Sequence, residues 1–163
     1  MRSVTAQTAT LGAAMRGAAM RAGDTDDPAE DTAVVTLAAE SGALGVIATS
    51  TATPPGASAR LTLRTTAGLV ELSHGSIDTW QVPGVDRPEA TEQIGAGSAD
   101  PRVIGLAGHV ALWRDVLGAR AEGRPAVVEA VDGWRTAALI DAAYTAAATG
   151  RRVDLPQPPG ADS

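Results

Sequence analysis

Between residues 31 and 82, short runs rich in β-branched and apolar residues alternate with glycine-containing turns. Such runs are typical of β-strands, and tight turns between them join strands in antiparallel order. The runs lie at residues 31–39, 43–52, 59–66, 69–73 and 76–82. Turns are expected at residues 40–42, 67–68 and 74–75, so the pattern predicts an antiparallel meander. The alternation in residues 3–11 predicts one more, half-buried strand ahead of it.

Two of these strands are apolar at consecutive positions, as in Val34-Val35 and Val46-Ile47. A sheet with one face in water would alternate more cleanly between apolar and polar residues, so we expect both faces to be covered. Helices can cover one face. The other face is then available for oligomerisation or for another domain.

Two amphipathic helices are predicted after the strands. The first begins near residue 108 and ends at Gly123 and Pro125. Its expected apolar face comprises Leu112, Val116 and Ala119, with Val110, Trp113 and Leu117 beside them. The second begins at Asp132 as N-cap and ends at Gly150. Its expected face comprises Ile140, Ala143, Tyr144 and Ala147.

These elements predict an α+β fold with an open, mostly antiparallel sheet and helices packed on one face. The chain has 163 residues, which is a single-domain length. We expect one domain over residues 1–155, a mobile loop over residues 12–30 and a disordered tail over residues 156–163.

Composition excludes several classes of function. The net charge is −6 and the arginines are dispersed, which argues against nucleic acid as a partner. There is no cysteine, and no apolar run approaches the length of a membrane-spanning helix. The N-terminal residues lack the apolar core of a signal peptide, so we expect a cytoplasmic protein with no membrane association.

The sequence offers few side chains for chemistry. It contains no lysine and only two histidines, and His74 is explained by its predicted turn. The acidic residues near position 26 lack the spacing of a calcium loop, and Asp115 and Glu122 read as solvated helix positions. We therefore predict no catalytic, cofactor-binding or metal-binding residue. His109, at the start of the first helix, and Arg102, at the end of the connection before it, are candidates for contact with a substrate pocket.

One resemblance covers nearly the whole chain, from Ser3 to Leu155. The sequence resembles the C-terminal domain of the Gfo/Idh/MocA family of NAD(P)-dependent oxidoreductases. The positions that carry the resemblance are Glu30-Asp31-Thr32-Ala33, Ser41-Gly42, Gly108-His109, Asp115, Glu122-Gly123-Arg124-Pro125, Gly133 and Gly150-Arg151-Arg152-Val153.

The resemblance implies a domain that contributes to a sugar or polyol pocket and often forms a subunit interface through its sheet. Members also have a Rossmann domain for NAD or NADP. Its glycine-rich fingerprint, the Glu-Lys-Pro segment with the catalytic lysine and the Asp…His pair are all missing here, and Val116 stands where an aromatic residue is usual. No catalytic or cofactor residue is therefore carried over, and this chain alone is not expected to bind a cofactor.

Two functions from different classes remain open. The first is the substrate-side and oligomerisation domain of such a dehydrogenase, present as a truncated or split product, with a separate Rossmann-domain chain as a possible partner. The alternative is a stand-alone, non-catalytic structural or small-ligand-binding protein that self-associates through its sheet. The resemblance implies an NAD(P)-dependent oxidoreductase for a complete family member, whereas this chain alone lacks the catalytic and cofactor residues.

Overall fold

The structure is a computed structural model, and it describes residues 1–11, 30–53, 56–73, 76–89 and 106–159. Within these ranges the strands are β1 (Ser3–Ala9), β2 (Thr32–Ala38), β3 (Leu44–Ser50), β4 (Arg60–Thr65), β5 (Gly68–Ser73), β6 (Ser76–Gln81) and β7 (Val153–Asp154). The helices are α1 (Ala107–Glu122) and α2 (Ala130–Thr149). The chain divides into two compact units, Met1–Pro54 with Val128–Ser163, and Pro55–Val127.

The first unit is built on an antiparallel sheet in the order β3-β2-β1-β7. The β2–β3 hairpin is the one predicted from the sequence. Its turn contains Gly42 at a φ of 87°, in the left-handed region that glycine adopts without strain. The amide of Ala39 donates to the carbonyl of Ala43 at 2.8 Å and closes the loop. The predicted strand over residues 3–11 is also confirmed, as β1.

Helix α2 covers one face of this sheet, where it packs on β1 and β7. The core consists of Val4, Ala6 and Val35 from the strands and Ala142 and Ala146 from the helix. Because alternate strand residues point to opposite faces, Val4 and Ala6 share the side that meets the helix. The helix contributes alanines at its closest approach, so the core is thin and has little tolerance for added volume.

The ends of α2 follow from local chemistry. The helix starts after Glu129, and the amide of Glu129 donates to Asp132 Oδ2 at 3.1 Å in a capping box. Asp132 is therefore the third helical residue, and the prediction that it is the N-cap was wrong by one turn. Gly150 ends the helix at a φ of 64°, as predicted, with its amide 2.9 Å from the carbonyl of Ala146.

The buried face of α2 is shifted from the predicted one. Ala142 and Ala146 are its most buried residues, whereas Ile140 and Tyr144 are 53% and 51% exposed. Small side chains let the helix approach the sheet closely, which moves the two large side chains to the edge of the contact. Ala143 and Ala147 are partly buried, as expected.

The second unit holds an antiparallel sheet in the order β4-β5-β6. The predicted β4–β5 hairpin is confirmed. Gly68 is required there, since a Cβ at this position would lie 2.2 Å from the carbonyl oxygen of Gln81. The predicted turn at His74 and Gly75 lies outside the described residues.

Helix α1 also belongs to the second unit and ends at Gly123, as predicted, with a φ of 67°. Of its expected apolar face, Ala119 is buried, whereas Leu112 is 39% exposed. Trp113 and Leu117 are each 63% exposed. The predicted burial of this face is therefore confirmed for Ala119, holds in part for the half-buried Val116, and is wrong for the exposed larger side chains.

The α+β class and the antiparallel pairing are confirmed, but the strands form two sheets and not one continuous meander. The chain leaves β3 where Thr51 donates to the carbonyl of Asp31 and Ala52 donates to Ser50 Oγ. β1 and β7, from distant parts of the sequence, complete the first sheet. The predicted single domain over residues 1–155 stays a prediction, as do the loop and the tail, since residues 12–29 and 160–163 lie outside the described parts.

Candidate functional site

The structure does not test the two residues proposed for a substrate pocket, His109 and Arg102. His109 is exposed in the first turn of α1. Arg102 lies outside the described residues. Both assignments stay predictions.

Asp115 has a structural partner that the sequence did not suggest. Its carboxylate accepts a hydrogen bond from the amide of Val127 at 2.6 Å and pairs with Arg124 at 2.8 Å. Arg124 also donates to Glu122 at 2.7 Å. The reading of Asp115 as a solvated helix position was therefore wrong: it holds the segment that follows α1 against the helix. The Glu-Gly-Arg-Pro motif at residues 122–125 supplies Glu122 and Arg124 to this network.

These contacts shift the pKa values of Asp115 and Arg124. The hydrogen bond from Val127, and after it that from Arg124, lower the pKa of Asp115 below its usual value. The hydrogen bonds to Glu122 and Asp115 raise the pKa of Arg124 further above its already high value. Both groups stay charged at neutral pH, so they serve as a fixed clamp and not as a proton donor or acceptor.

The face of the first sheet opposite α2, the outer face, is open and is uncharged from β1 to β3. The charged pair Arg152–Asp154 lies at its β7 edge. From β1 to β3 its residues are Ser3, Thr5, Gln7, Ala9, Thr32, Val34, Thr36, Ala38, Leu44, Val46, Ala48 and Ser50. None of them is charged, and Leu44 and Val46 are 85% and 71% exposed. A shallow groove of about 370 Å³ crosses it beside Thr5 and Thr36, whose hydroxyls share a hydrogen bond. Within this unit, therefore, one face of the sheet is covered by α2, as expected, and the outer face is not covered.

A second concave surface lies on the α2 side of the same sheet and is called here the inner cleft. Because α2 packs on β1 and β7, the inner face of β2 and β3 extends beyond the helix. Its floor comprises two registered rows, Ala6-Val35-Ile47 and Thr8-Ala33-Thr49. Its wall comprises Leu139, Ile140, Ala143 and Tyr144 of α2. Together they enclose about 240 Å³.

One polar contact lies at the edge of the inner cleft. The Tyr144 hydroxyl donates a hydrogen bond to Glu30 Oε1. This bond, and then the negative charge of the carboxylate, raise the pKa of Tyr144 above its ordinary value. Sequence reasoning missed the pair because the two residues lie 114 positions apart. The one available signal was a lone tyrosine in an alanine-rich helix.

Among the described residues, no three His, Cys, Asp or Glu side chains converge in a way that could hold a metal ion. In the same part of the chain, neither helix is long and apolar enough to cross a bilayer. The cytoplasmic location expected from the sequence stays a prediction.

No family model matches the sequence, and no curated protein matches it significantly. Solved structures do match. The WlbA dehydrogenase from Bordetella pertussis, solved with NADH and UDP-GlcNAcA, is 26% identical with a TM-score of 0.68, and the match covers 96% of this chain and 42% of that chain. GenD2 from gentamicin A biosynthesis, solved with NAD, is 26% identical with a TM-score of 0.62 and the same coverage. Levoglucosan dehydrogenase, solved with NADH and levoglucosan, is 16% identical with a TM-score of 0.65, and the match covers 96% of this chain and 45% of that chain. At this identity the match indicates the fold alone.

The chain thus spans less than half the length of the solved dehydrogenases that it matches. The part it matches is their C-terminal α+β portion. The chain is therefore similar to the C-terminal portion of these dehydrogenases, which is consistent with the resemblance of its sequence to the Gfo/Idh/MocA C-terminal domain.

Proposed function

We propose that this chain is the substrate-side and oligomerisation domain of an NAD(P)-dependent sugar or polyol dehydrogenase of the Gfo/Idh/MocA type. The observation that carries the proposal is the unequal coverage: 96% of this chain matches 42% of WlbA and of GenD2. Both of those proteins were solved with NAD or NADH bound. WlbA was also solved with a nucleotide sugar.

In this proposal the cofactor is bound by a nucleotide-binding domain outside residues 1–163. The sequence supports this division because it has no Gly-x-Gly-x-x-Gly turn between a strand and a helix, which is the element that holds a dinucleotide. It also has no lysine to act as the acid/base. The domain's own contribution is a rigid sheet-and-helix support for one side of the substrate pocket, with His109 and Arg102 as candidate contacts.

We place subunit contacts on the outer face of the first sheet. The uncharged rows across β1, β2 and β3 support this choice, since burying them requires no desolvation of charge. The one charged side chain that lines the described part of the groove, Arg152, is paired with Asp154 at 3.5 Å. Leu44 and Val46 protrude from the face and would gain most from burial. A face that meets its own copy forms an isologous contact, which gives a dimer.

Calorimetry with NADH tests whether cofactor binding requires a domain outside this chain. The chain alone should bind neither NADH nor NADPH with micromolar affinity, and a micromolar Kd would contradict the proposal. The DNA immediately upstream of the coding sequence provides an independent check. It should encode a strand, a glycine-rich turn and a helix, in the same or another reading frame.

The alternative is a stand-alone protein that self-associates and binds a small ligand. The inner cleft is the observation that favours it. The two functions differ in one requirement, because only the first needs a nucleotide-binding partner. A chain that is dimeric, binds a small ligand and forms no complex with any upstream-encoded domain would favour the alternative.

A further inference from the structure

The inner cleft has the size of a site for a single-ring molecule. Its volume is about 240 Å³. A dry apolar cavity of about 150 Å³ accepts a benzene-sized molecule, whereas pockets for drug-sized ligands start near 300 Å³. The floor rows Ala6-Val35-Ile47 and Thr8-Ala33-Thr49 are made of small or β-branched residues, so the cleft is shallow and smooth. A rigid ring loses little conformational entropy on binding. For the same loss it would bury more apolar surface here than a flexible chain would.

The cleft is exposed where it is most apolar. Ile47 is 43% exposed, and Ile140 and Tyr144 are each about half exposed, although all three line the same concavity. Large apolar side chains scattered singly on a surface need no explanation. Three that converge on one concave surface indicate a place where an apolar group is bound.

The polar groups select the charge of the ligand. Among the residues that the structure describes, Glu30 is the one charged side chain that lines the cleft. Its carboxylate is held in place by the hydrogen bond from the Tyr144 hydroxyl. The half-exposed Tyr144 ring lies at the same edge, and an aromatic face attracts a cation. A carboxylate and an aromatic face beside an apolar floor complement a protonated amine attached to a hydrocarbon ring.

We propose that the inner cleft is a binding site for a small organic ammonium ion with a single-ring apolar body. The ring lies on the rows of β1, β2 and β3 against Ile140. The ammonium group lies between the Glu30 carboxylate and the ring of Tyr144. The site is contained in the first unit and needs no cofactor. Its test is therefore independent of the dehydrogenase assignment.

Three ligands with the same ring and different charge test this proposal on the full chain at pH 7. Cyclohexylammonium, cyclohexanol and cyclohexanecarboxylate are titrated while the backbone amide resonances are followed by NMR. Cyclohexylammonium should bind saturably and about tenfold more tightly than cyclohexanol, because it adds a charge-assisted hydrogen bond to Glu30. The carboxylate should not bind. The resonances that shift should be those of β2, β3 and α2.

Variants then separate the two parts of the site. Glu30→Gln should abolish the preference for the ammonium over the alcohol, whereas Asp141→Asn should leave it unchanged. Asp141 is a matched control because it is an exposed carboxylate on α2 that does not line the cleft. Thr49→Phe fills the cleft from an exposed strand position, where an aromatic residue is well tolerated, and should abolish binding of both ligands.

Three results would overturn the proposal. One is the absence of saturable binding by any of the three ligands. Another is equal affinity for the ammonium and the alcohol that Glu30→Gln does not change. The last is a set of shifted resonances confined to the outer face. All three are read on the wild-type chain or on Glu30→Gln, a conservative change at a half-buried position, so a failure of folding does not obscure them.

Discussion

At the scale of single residues, the sequence identified the types of side chain but not their partners. It marked Asp115 and Tyr144 as helix positions, yet their functions depend on Val127 and Glu30, which no spacing rule connects to them. Hydrogen bonds across loops depend on the tertiary path of the chain. Sequence periodicity shows only which residues lie on the same face of a helix or strand.

Tyr144 offers a direct test because it is the chain's only tyrosine. Its absorbance change near 295 nm therefore reports this one hydroxyl. The bond to Glu30 raises its pKa, so the midpoint of the titration should lie above 10, the ordinary value. Glu30→Gln should move the midpoint down toward 10. An unshifted midpoint in the folded wild-type chain would contradict the Tyr144–Glu30 contact.

The same shift has a consequence for stability. A pKa that is higher in the folded chain than in the unfolded chain stabilises the fold below the unfolded value, and this contribution is lost as pH rises through the folded value. The difference in unfolding midpoint between wild type and Tyr144→Phe should therefore be constant at neutral pH and shrink above about pH 10. A difference that grows with pH would contradict this account.

Asp115 gives the opposite pH dependence. Its folded pKa is lowered, so its contribution to stability is fully present above the unfolded value and is lost as pH falls through the folded one. Asp115→Asn should lower the midpoint of thermal unfolding at pH 7, and the difference from wild type should shrink below about pH 4. Asp86→Asn, at an exposed position, is the control and should have little effect at either pH. Equal effects of the two variants would show that the clamp contributes nothing.

At the scale of elements, local signals sufficed for hairpins and helix ends. The β2–β3 and β4–β5 hairpins are specified by glycine turns between β-branched runs, and α1 and α2 end at Gly123 and Gly150 as predicted. The division of strands into two sheets could not be predicted in this way. It arises because β3 pairs with β2 and, among the described strands, not with β4, while β1 pairs with β7 across nearly the whole chain. Such choices of partner leave no local pattern.

The close packing of α2 on the sheet is testable with one substitution. Ala146 is 1% exposed, so Ala146→Leu should overpack the core and destabilise the fold by about 1–3 kcal/mol. Ala148→Leu, on the exposed side of the same helix, should change stability by less than about 0.5 kcal/mol. Chemical denaturation of both variants measures the difference. Equal effects at the two positions would contradict the orientation of α2 described here.

At the scale of the whole molecule, the outer face is expected to join subunits. A charge placed at its centre should prevent this, because it would be buried without a partner. Val46→Asp should therefore convert a dimeric chain into a monomer in size-exclusion chromatography with light scattering. Thr62→Asp on the exposed strand β4 is the control and should leave the mass unchanged. A wild-type chain that is monomeric at micromolar concentration, or a dimer that survives Val46→Asp, would contradict the assignment.

The central claim is that residues 1–163 form one half of a dehydrogenase and depend on a nucleotide-binding domain for chemistry. The most direct test is the reduction of NAD or NADP, followed at 340 nm, with a panel of sugars, polyols and nucleotide sugars. The assay compares this chain, the nucleotide-binding domain that the proposal predicts upstream, and the two combined. Substrate-dependent reduction should occur only when both are present. Reduction at the same rate by the nucleotide-binding domain alone, or none by the combined pair, would contradict the claim.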